Sequence, residues 1–280
     1  MNTTFSTIDT TFLSTEAEFD YAIKVMRNEL RNYIHQYGLK ALVLGISGGV
    51  DSAFAAALVR PVCDELQIPL IGRSITIETN KPEEIERANA VGENFCHDYK
   101  YLDYTDIYLK FKPLLPDIVD NKLSKLRMGN AKARFRMMAL YDLAQEHRGI
   151  VISTDNFTEY LTGFWTLHGD VGDYAPFIKL WKTEVYGCSK FLCKSLPKSM
   201  SDALMACVEA VPTDGLGITN SDLDQLGTDT YAEVDRLLAE YLSGNKQNEK
   251  HPVVQRYIST QYKRENPVSI ERISLVQNHD

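Results

Sequence analysis

The 280-residue sequence predicts an α/β fold in which helices flank a doubly wound parallel sheet. Short apolar stretches alternate with segments of helical periodicity, which is typical of parallel βαβ units. The stretch Ala41–Ile46 leads within one residue into two glycines and a helix, and Ile150–Ile152 directly follows a glycine that closes another helix. Ligands of such sheets bind beyond the carboxyl ends of the strands, so the candidate site is expected there.

The elements of the first half follow from apolar spacing and from helix-breaking residues. Apolar residues recur at helical spacing over Glu18–Tyr37 and predict an amphipathic helix before the first strand. A second helix is predicted over Ser52–Val59 and is expected to stop at Pro61. The apolar stretch Ile68–Ile77 predicts the next strand, and Lys81–Cys96 predicts the helix after it.

The second half continues the alternation and then becomes helical. Tyr99–Tyr104 alternates like a short strand, and Gly129–His147 is a strong helix that Gly149 closes. The segment Ser195–Asn220 contains two prolines and two glycines and is predicted to be irregular. Two further helices are predicted near the C-terminal end, at about Tyr231–Leu242 and Pro252–Tyr262.

Composition limits the class of protein. A chain that is 44% hydrophobic and 24% charged suits one sizeable α/β domain, which we expect to span residues 1–280. No apolar run is long enough to cross a bilayer, and the N-terminus lacks the features of a signal peptide. Five scattered cysteines without C-x-x-C spacing favour buried thiols in the cytoplasm. The net charge of −8 argues against nucleic-acid partners.

This acidic chain nevertheless contains a basic segment, Lys122–Arg136, with six lysines and arginines and no acidic residue. Such a segment is either a solvated helix face paired with acids elsewhere or a site for a phosphorylated ligand. Both interpretations are open from the residues alone.

Residues Ser47–Ser52 read S-G-G-V-D-S and form the most informative motif, here called the Ser47–Ser52 loop. Its glycines let the backbone turn sharply, and the following helix N-terminus offers N–H groups to an anion. Asp51 would repel a phosphate, so we expect a metal ion between carboxylate and phosphate. The loop has neither the lysine of G-x-x-x-x-G-K-[ST] nor the G-x-G-x-x-G spacing. It resembles the pyrophosphate loop of the N-type ATP pyrophosphatases, which cleave ATP between the α- and β-phosphates.

Several segments together resemble one family, the ammonia-dependent NAD synthetases, whose fold is adenine nucleotide alpha hydrolase-like and Rossmann-like. The resemblance covers roughly Phe19 to Arg272. Its segments are Gly45–Ser52, Gly129–Met137, Ser153–Phe164, His168–Asp173, Leu180–Val185, Val211–Leu216 and Tyr262–Pro267. The first of these alone defines a superfamily, whereas T-D-N-F-T-E-Y-L-T-G-F beside G-N-A-K-A-R is far more specific.

The resemblance implies a ligase reaction. ATP adenylates the nicotinate carboxylate of deamido-NAD, pyrophosphate leaves, and ammonia converts the acyl-adenylate to NAD and AMP. It also implies Mg²⁺ as a cofactor, a single domain without a glutaminase domain, and ammonia that is free or supplied by a separate partner. A homodimer is implied too, paired around the G-N-A-K-A-R helix, with the basic segment as part of a shared dinucleotide site.

The resemblance assigns site residues by motif position. The ATP-binding positions are Ser47, Gly48, Gly49, Asp51, Ser52, Arg73, Thr154, Lys182 and Thr213. Asp51 and Lys182 are expected to be catalytic, and the metal positions are Asp51, Glu159 and Thr213. The positions for the nicotinate nucleotide are Tyr33, Asn130, Arg134, Tyr141, Phe164, Asp170, Asp173 and Lys263. Lys182 and Lys263 are expected on mobile segments that close over the site.

Several of these residues also have a plain structural interpretation. Glu159 suits the start of a helix, where a carboxylate is favoured by the helix dipole. The other plain interpretations are surface charges for Arg73 and Lys263, core aromatics for Tyr33, Tyr141 and Phe164, and turn residues for Asp170 and Asp173.

The chain departs from the family pattern on the side expected to hold the nicotinate nucleotide. A lysine and a glycine are missing within Thr166–Gly172, and Tyr262 replaces a common histidine. A relative that amidates nicotinate mononucleotide is therefore an alternative. An RNA-thiolating adenylase would favour paired reactive cysteines and a basic surface, and a non-catalytic nucleotide-binding module would tolerate loss of Asp51 or Glu159. Neither of these two alternatives is favoured by the residues.

Overall fold

A computed structural model describes residues 10–78, 80–115, 122–212 and 222–270. Within these ranges four strands form one parallel sheet: β1 (Leu42–Gly45), β2 (Leu70–Thr76), β3 (Asp98–Asp103) and β4 (Ile150–Val151). Their order is β3-β2-β1-β4, so the chain extends the sheet from β1 in both directions. The predicted doubly wound parallel sheet is confirmed.

Helices cover both faces of this sheet. In chain order they are α1 (Glu16–Tyr37), α2 (Val50–Leu66), α3 (Pro82–Phe95), α4 (Thr105–Phe111), α5 (Lys122–Glu146), α6 (Phe157–Thr162), α7 (Lys182–Cys193), α8 (Lys198–Glu209), α9 (Asp222–Leu226), α10 (Tyr231–Leu242), α11 (Pro252–Ser259) and α12 (Gln261–Arg264). A short 3₁₀-helix, Lys112–Leu114, follows α4. None of the helices in the described ranges combines the length and the apolar character that crossing a bilayer requires.

Strand β1 contributes to two cores. Leu42 and Leu44 pack among side chains of α1, α2, α7 and α8, whereas Val43 packs with α5 on the opposite face. Successive side chains of a strand point to opposite faces, so a strand covered on both faces must be apolar at every position. A third core joins α6, α10 and α11 around Trp181. This third core contains the first residue of α6 and Trp181, which directly precedes α7, so it positions the start of both helices.

Helix α2 runs through Pro61, so the predicted stop at this residue is wrong. Pro61 has no N–H for the Ala57 carbonyl, and its ring crowds the preceding turn. Arg27 of α1 provides replacement donors: Nη2 donates to the Ala57 carbonyl at 3.2 Å and Nε to the Leu58 carbonyl at 3.0 Å. A side chain from another helix therefore allows α2 to continue.

The prediction that Ser195–Asn220 is irregular is also wrong over Lys198–Glu209, which form helix α8. Helix α8 begins directly after Pro197, a position where proline is well tolerated because the first helical N–H groups lack partners anyway. Its buried side chains, including Leu204 and Cys207, pack against α3 and α7. Residues 213–220 of this segment lie outside the described ranges.

Two other helices differ from prediction at their ends. Helix α5 begins at Lys122 rather than at Gly129, because a buried glycine inside a helix costs about 1 kcal/mol and does not end it. The predicted C-terminal helix is divided at Thr260 into α11 and α12.

Candidate active site

The carboxyl ends of β1, β2 and β4 open into one cavity of about 290 Å³, here called the main cavity. Its wall includes the Ser47–Ser52 loop, the end of α8 and the first residue of α7. The predicted site residues that line it are Ser47, Gly48, Gly49, Asp51, Arg73, Thr154, Glu159, Asp170 and Lys182. Thr213 follows Pro212, a residue of the same wall, but lies outside the described residues.

The Ser47–Ser52 loop requires glycine at its turn. Gly48 adopts φ +83°, a conformation that side chains disfavour, and a Cβ there would lie 2.2 Å from the Glu84 carbonyl oxygen of α3. Gly49 is the N-cap of α2, so the N–H groups of the first helical turn begin at the cavity wall. The backbone itself therefore offers donors to an anion at this position.

The two serines of the loop have different positions. Ser52 is 2% exposed, and its Oγ accepts from the Ser47 N–H at 3.2 Å and lies 3.0 Å from Ser47 Oγ. Ser47 lines the main cavity and accepts from the Gly49 N–H at 3.2 Å. Ser52 thus stabilises the loop conformation from its buried position, while Ser47 lines the cavity.

Lys182 joins two carboxylates at the cavity wall. Its Nζ lies 2.5 Å from Asp51 Oδ2 and 2.8 Å from Glu159 Oε1, and the lysine is 4% exposed. Asn156 connects the same elements, because its Nδ2 donates to Asp51 Oδ1 at 2.8 Å and its Oδ1 caps α6 at the Glu159 N–H. The ends of α2, α6 and α7 therefore meet at this ion cluster.

Burial and neighbouring charge shape the ionisation of the cluster. Burial raises the pKa of Glu159 well above its ordinary value, and the negative charge of Asp51 raises it further. Burial alone would lower the pKa of Lys182, but Asp51 and Glu159 outweigh it and hold that pKa well above the usual range. Lys182 therefore stays protonated, whereas Glu159 holds a proton more readily than an ordinary carboxyl group.

Asp235 of α10 was missed by the sequence analysis. It binds Thr158 and Thr183, the residues next to Glu159 and Lys182 in the chain. It is 1% exposed and accepts from Thr158 Oγ1 at 2.5 Å and from the Thr183 N–H and Oγ1 at 3.0 and 2.8 Å. Thr158 Oγ1 in turn accepts from the Lys182 N–H at 2.9 Å. The sequence signal was a carboxylate beside Val234 on the buried face of an otherwise amphipathic helix.

Arg73 is not a surface charge. It is 6% exposed, its Nη2 pairs with Asp98 Oδ2 at 2.8 Å, and its Nη1 donates to the Gly72 carbonyl at 2.8 Å. Arg73 pairs in register with Gly45, the last residue of β1, which places it at the base of the Ser47–Ser52 loop. It lines the main cavity while its guanidinium is held by the sheet.

The predicted substrate residues of α5 contact the segment 166–171 and do not line the main cavity. The contacts are Thr166 Oγ1 to Asn130 Oδ1 (2.9 Å), Arg134 Nη2 to the Leu167 carbonyl (2.9 Å) and Tyr141 Oη to the Val171 carbonyl (3.2 Å). Asn130 and Arg134 also line a smaller cavity of about 200 Å³. Two of the bonded carbonyls belong to positions where the chain departs from the family.

The two aspartates and the lysine of the predicted substrate set have defined partners. Asp170 lines the main cavity and accepts from the Thr166 N–H at 2.6 Å. Asp173 accepts from the Val151 N–H at 3.0 Å through Oδ2. Lys263 donates from Nζ to the Gly163 carbonyl at 2.7 Å and also to the Trp165 carbonyl, so it is bound to the chain instead of being solvated.

The remaining two predicted substrate residues lie in aromatic contacts. The Tyr33 ring of α1 packs against Tyr174 with centroids 4.8 Å apart. The guanidinium of Arg256 lies 4.6 Å from the centroid of Phe164. Neither aromatic lines the main cavity, so both have the packing contacts of the plain interpretation.

The basic segment is partly internal. Lys132 is 3% exposed and its Nζ lies 3.0 Å from Glu78 Oε2. Arg136 lines the main cavity and donates to the Ile75 carbonyl at 2.8 Å and to Asn80 Oδ1 at 3.0 Å. Lys132 is thus paired with an acid but is buried rather than solvated. Arg136 is a cavity residue that the motif assignment missed, and a phosphorylated ligand near it stays a prediction.

The described residues contain no group of three or more histidine, cysteine or acidic side chains arranged to hold a metal ion. Asp51 and Glu159 nevertheless place two carboxylates on the cavity wall, on either side of one ammonium group. Mg²⁺ in nucleotide sites is commonly bound by one or two carboxylates together with substrate phosphates. The pair therefore fits a magnesium ion that arrives with a nucleotide.

Comparison with known proteins agrees with this geometry. A profile of the NAD synthase family matches residues 22–267. The NH(3)-dependent NAD(+) synthetase of Methanococcoides burtonii is 34% identical over 221 residues, which are 76% of this chain and 76% of that protein. An NMN synthetase structure from Francisella tularensis has a TM-score of 0.73 at 26% identity and covers 92% of this chain and 100% of its own.

An NH3-dependent NAD synthetase structure from Campylobacter jejuni covers 90% of this chain and 99% of its own, with a TM-score of 0.68 at 20% identity. At that identity the likeness supports the fold alone. The family profile spans most of the chain, and the Methanococcoides relative aligns over three quarters of it. The chain therefore belongs to the NAD synthase family and is a ligase.

Proposed function

We propose that the protein is an ammonia-dependent NAD synthetase, which amidates deamido-NAD in an ATP-dependent reaction. The observation that carries this proposal is the main cavity of a NAD synthase family member, where the Ser47–Ser52 loop lies beside the Asp51–Lys182–Glu159 cluster. Relatives that are 31 to 34% identical are named NH(3)-dependent NAD(+) synthetases. ATP is the co-substrate that this family implies.

The reaction needs activation of a carboxylate, because an oxygen of a carboxylate is a poor leaving group. A carboxylate oxygen of the nicotinate attacks the α-phosphorus of ATP, and pyrophosphate departs. Ammonia then attacks the carbonyl carbon of the acyl-adenylate, AMP leaves, and the nitrogen loses a proton. Both steps depend mainly on positioning and on neutralising phosphate charge. The N-terminus of α2 and the Ser47 hydroxyl suit the departing pyrophosphate.

Asp51 and Glu159 are the proposed ligands of Mg²⁺, with Thr213 as a third group near metal and phosphate. When bound, Mg²⁺ would neutralise negative charge on the phosphates. Lys182 pairs with both of these carboxylates. We propose that Lys182 exchanges the carboxylates for the phosphates of ATP, which fits its place at the first residue of α7. Arg73 and Thr154, which also line the main cavity, complete the proposed ATP site.

On the nucleotide side, Asp170 is the proposed substrate residue that already faces the main cavity. Asn130, Arg134 and Lys263 are proposed to act on the substrate together with the segment 163–171 that they bind. The remaining proposed contacts are Tyr33, Tyr141, Phe164 and Asp173.

Nicotinate mononucleotide is the second candidate substrate. The NMN synthetase structure of Francisella tularensis is matched over 100% of its own length and 92% of this chain, at 26% identity. The departures from the family pattern at Leu167 and Val171 lie in the segment that α5 holds through Arg134 and Tyr141. An RNA-thiolating activity is not supported, because burial raises the pKa of Cys63, Cys96, Cys188 and Cys207 to about 12.

The proposed function is tested by supplying ATP with deamido-NAD or nicotinate mononucleotide, each with ammonia and with glutamine, and separating the products by chromatography. NAD, AMP and pyrophosphate are expected from deamido-NAD with ammonia. Amidation of the mononucleotide alone would favour the second candidate. Absence of amidation and of ATP–pyrophosphate exchange with both nucleotides would contradict the proposal.

A homodimer is proposed from exposed apolar side chains on α5. Leu123, Leu126 and Met138 are 64, 45 and 68% exposed along this helix, and exposed apolar side chains of this size suit an association surface. Sedimentation velocity is expected to give a dimer, and Met138→Asp is expected to shift it toward monomer. A wild-type monomer would contradict this proposal. We also propose that residues 1–280 form a single domain and that the protein has a cytoplasmic location, which suits five buried free thiols.

A further inference from the structure

We infer that Arg87 of α3 is a pyrophosphate-binding residue of the main cavity, an inference that rests on the function proposed above. Arg87 lies outside every motif that carries the family resemblance. The structure places it in the cavity wall beside the Ser47–Ser52 loop. Three observations support the inference: its anchor on the loop, its unoccupied donors and the pairing of the other nearby cations.

The anchor is a hydrogen bond to the loop itself. Arg87 Nε donates to the Gly48 carbonyl at 2.9 Å. The Gly48 turn also lies directly on α3, since a Cβ on Gly48 would be 2.2 Å from the Glu84 carbonyl oxygen and 3.2 Å from the Ala88 nitrogen. Arg87 lies between these two contacts along the helix. Its guanidinium is therefore held at a fixed position relative to the loop backbone.

The outer edge of this guanidinium is available for a ligand. Across the part of the chain that the structure describes, the bond from Nε to Gly48 is the one hydrogen bond of Arg87, and no carboxylate pairs with it. Nη1 and Nη2 thus keep their N–H donors. Arginine presents these donors in a planar fork that matches two oxygens of one phosphate group.

The other cations of the cavity wall have partners. Lys182 is shared by Asp51 and Glu159, and Arg73 pairs with Asp98 at 2.8 Å. Arg136 has no carboxylate partner among the described residues, but it donates to the Ile75 carbonyl and to Asn80 Oδ1. The loop also lacks the lysine of the G-x-x-x-x-G-K-[ST] motif. Pyrophosphate that departs from ATP carries several negative charges, and its departure is favoured by a cation fixed close to it. Arg87 is a cation at the loop whose donors are not already used.

The inference also explains why Arg87 is anchored through Nε. A lysine at this position carries its three donors on one nitrogen, so it lacks the separate planar pair of N–H groups that arginine keeps for a phosphate while its Nε–H bonds the loop carbonyl. Arg87 can bind the loop carbonyl and the phosphate oxygens at the same time. The loop that receives the pyrophosphate therefore also positions the cation. This is a binding and positioning role, additional to that of the loop backbone.

The test compares Arg87→Gln and Arg87→Lys with the wild-type protein. Glutamine keeps an amide donor for the Gly48 carbonyl but removes the charge, whereas lysine keeps the charge but not the fork. Arg87→Gln is expected to weaken pyrophosphate binding about tenfold or more, the scale of a lost charge-assisted hydrogen-bond pair. Its KM for ATP is expected to rise, while AMP binding and the KM for the nicotinate nucleotide stay within about twofold. Arg87→Lys is expected to lose less pyrophosphate affinity than Arg87→Gln.

Pyrophosphate and AMP affinities are measured by titration calorimetry, and thermal unfolding checks that each variant is folded. Arg236→Gln is the matched control, because Arg236 pairs with Glu240 on the exposed face of α10, and it is expected to bind as the wild type does. Wild-type pyrophosphate affinity in Arg87→Gln, or in Arg87→Lys and Arg87→Met if the glutamine variant does not fold, would overturn the inference. Equal loss of AMP and pyrophosphate binding would also overturn it, since that would assign Arg87 to loop shape alone. These affinities can be measured even if the wild-type protein amidates neither nucleotide, so failure of the proposed function is a separate result.

Discussion

Lys182 Nζ lies 2.5 Å from Asp51 Oδ2, which joins the first residue of α7 to the first turn of α2 across 131 positions of the sequence. The same nitrogen lies 2.8 Å from Glu159 of α6. One buried ammonium thus stands between two carboxylates that would otherwise repel each other. The three helices that meet here start at or near the candidate site, so this contact determines the shape of its wall.

Lys182→Met is expected to reduce kcat about 100-fold or more, the scale found when a charge partner of the transition state is removed. The same variant is expected to bind Mn²⁺ about tenfold more tightly in the absence of nucleotide, because two adjacent carboxylates lose their counter-ion. Mn²⁺ titration followed by electron paramagnetic resonance measures this affinity. Lys179→Met is the control, because Lys179 lies over the Phe157 and Tyr160 rings and is not paired with these acids. Unchanged Mn²⁺ affinity in Lys182→Met would contradict the exchange proposed for Lys182.

Asp51→Asn is expected to abolish turnover almost completely while the fold is kept. Asp51 is partly exposed at the cavity wall, and its contacts are Lys182 and Asn156 rather than core side chains. Asparagine preserves shape and one acceptor but removes the charge proposed to bind Mg²⁺. Steady-state kinetics and circular dichroism check the two expectations. Wild-type activity in this variant would refute the assignment of Asp51.

Asp155→Asn is expected to change the pH dependence of stability. Burial, with a further contribution from the charge of Asp170, raises the pKa of Asp155 from 3.8 to about 7. The folded protein therefore holds this proton more tightly than the unfolded chain, and stability is lost as pH rises from about 4 through about 7. Asparagine does not titrate and can still accept the Ser153 hydroxyl, which lies 2.6 Å from Asp155 Oδ2.

The melting temperature of the Asp155→Asn variant, relative to that of the wild type, should consequently be higher at about pH 8 than at about pH 5. Thr154→Val is the control for a change in the residue next to Asp155. It is expected to leave the slope of melting temperature against pH as in the wild type. An identical pH slope for Asp155→Asn and wild type would show that Asp155 is not protonated in the folded protein.

Arg27→Met is expected to destabilise the protein by about 1–3 kcal/mol, because the Ala57 and Leu58 carbonyls beside Pro61 lose their donors. In a Pro61→Ala background the helix regains an N–H for the Ala57 carbonyl, so the same change of Arg27 should cost less. Urea unfolding of the wild type, both single variants and the double variant gives the coupling energy. Additive effects would show that Arg27 does not compensate for Pro61.

Much of the fold could be predicted because its signals are local. The all-apolar β1 strand, the glycines after it and the helical spacing of α1 and α3 each depend on residues close together in the chain. The errors occurred where a distant residue overrides a local rule. Pro61 was expected to end α2, and only the donors of Arg27 from another helix explain why it does not.

The candidate site divides in the same way. The Ser47–Ser52 loop and the family resemblance were readable in the sequence, since they depend on motif order and on the conformational freedom of Gly48. The pairing of Lys182 with Asp51 and Glu159, the support from Asp235 and the anchor of Arg87 on Gly48 were not readable. Hydrogen bonds and ion pairs act over a few ångströms in space, so the partners of a charged side chain are decided when distant segments pack together. The sequence by itself determined the fold class and the kind of chemistry, and the tertiary structure decided which charges meet at the cavity.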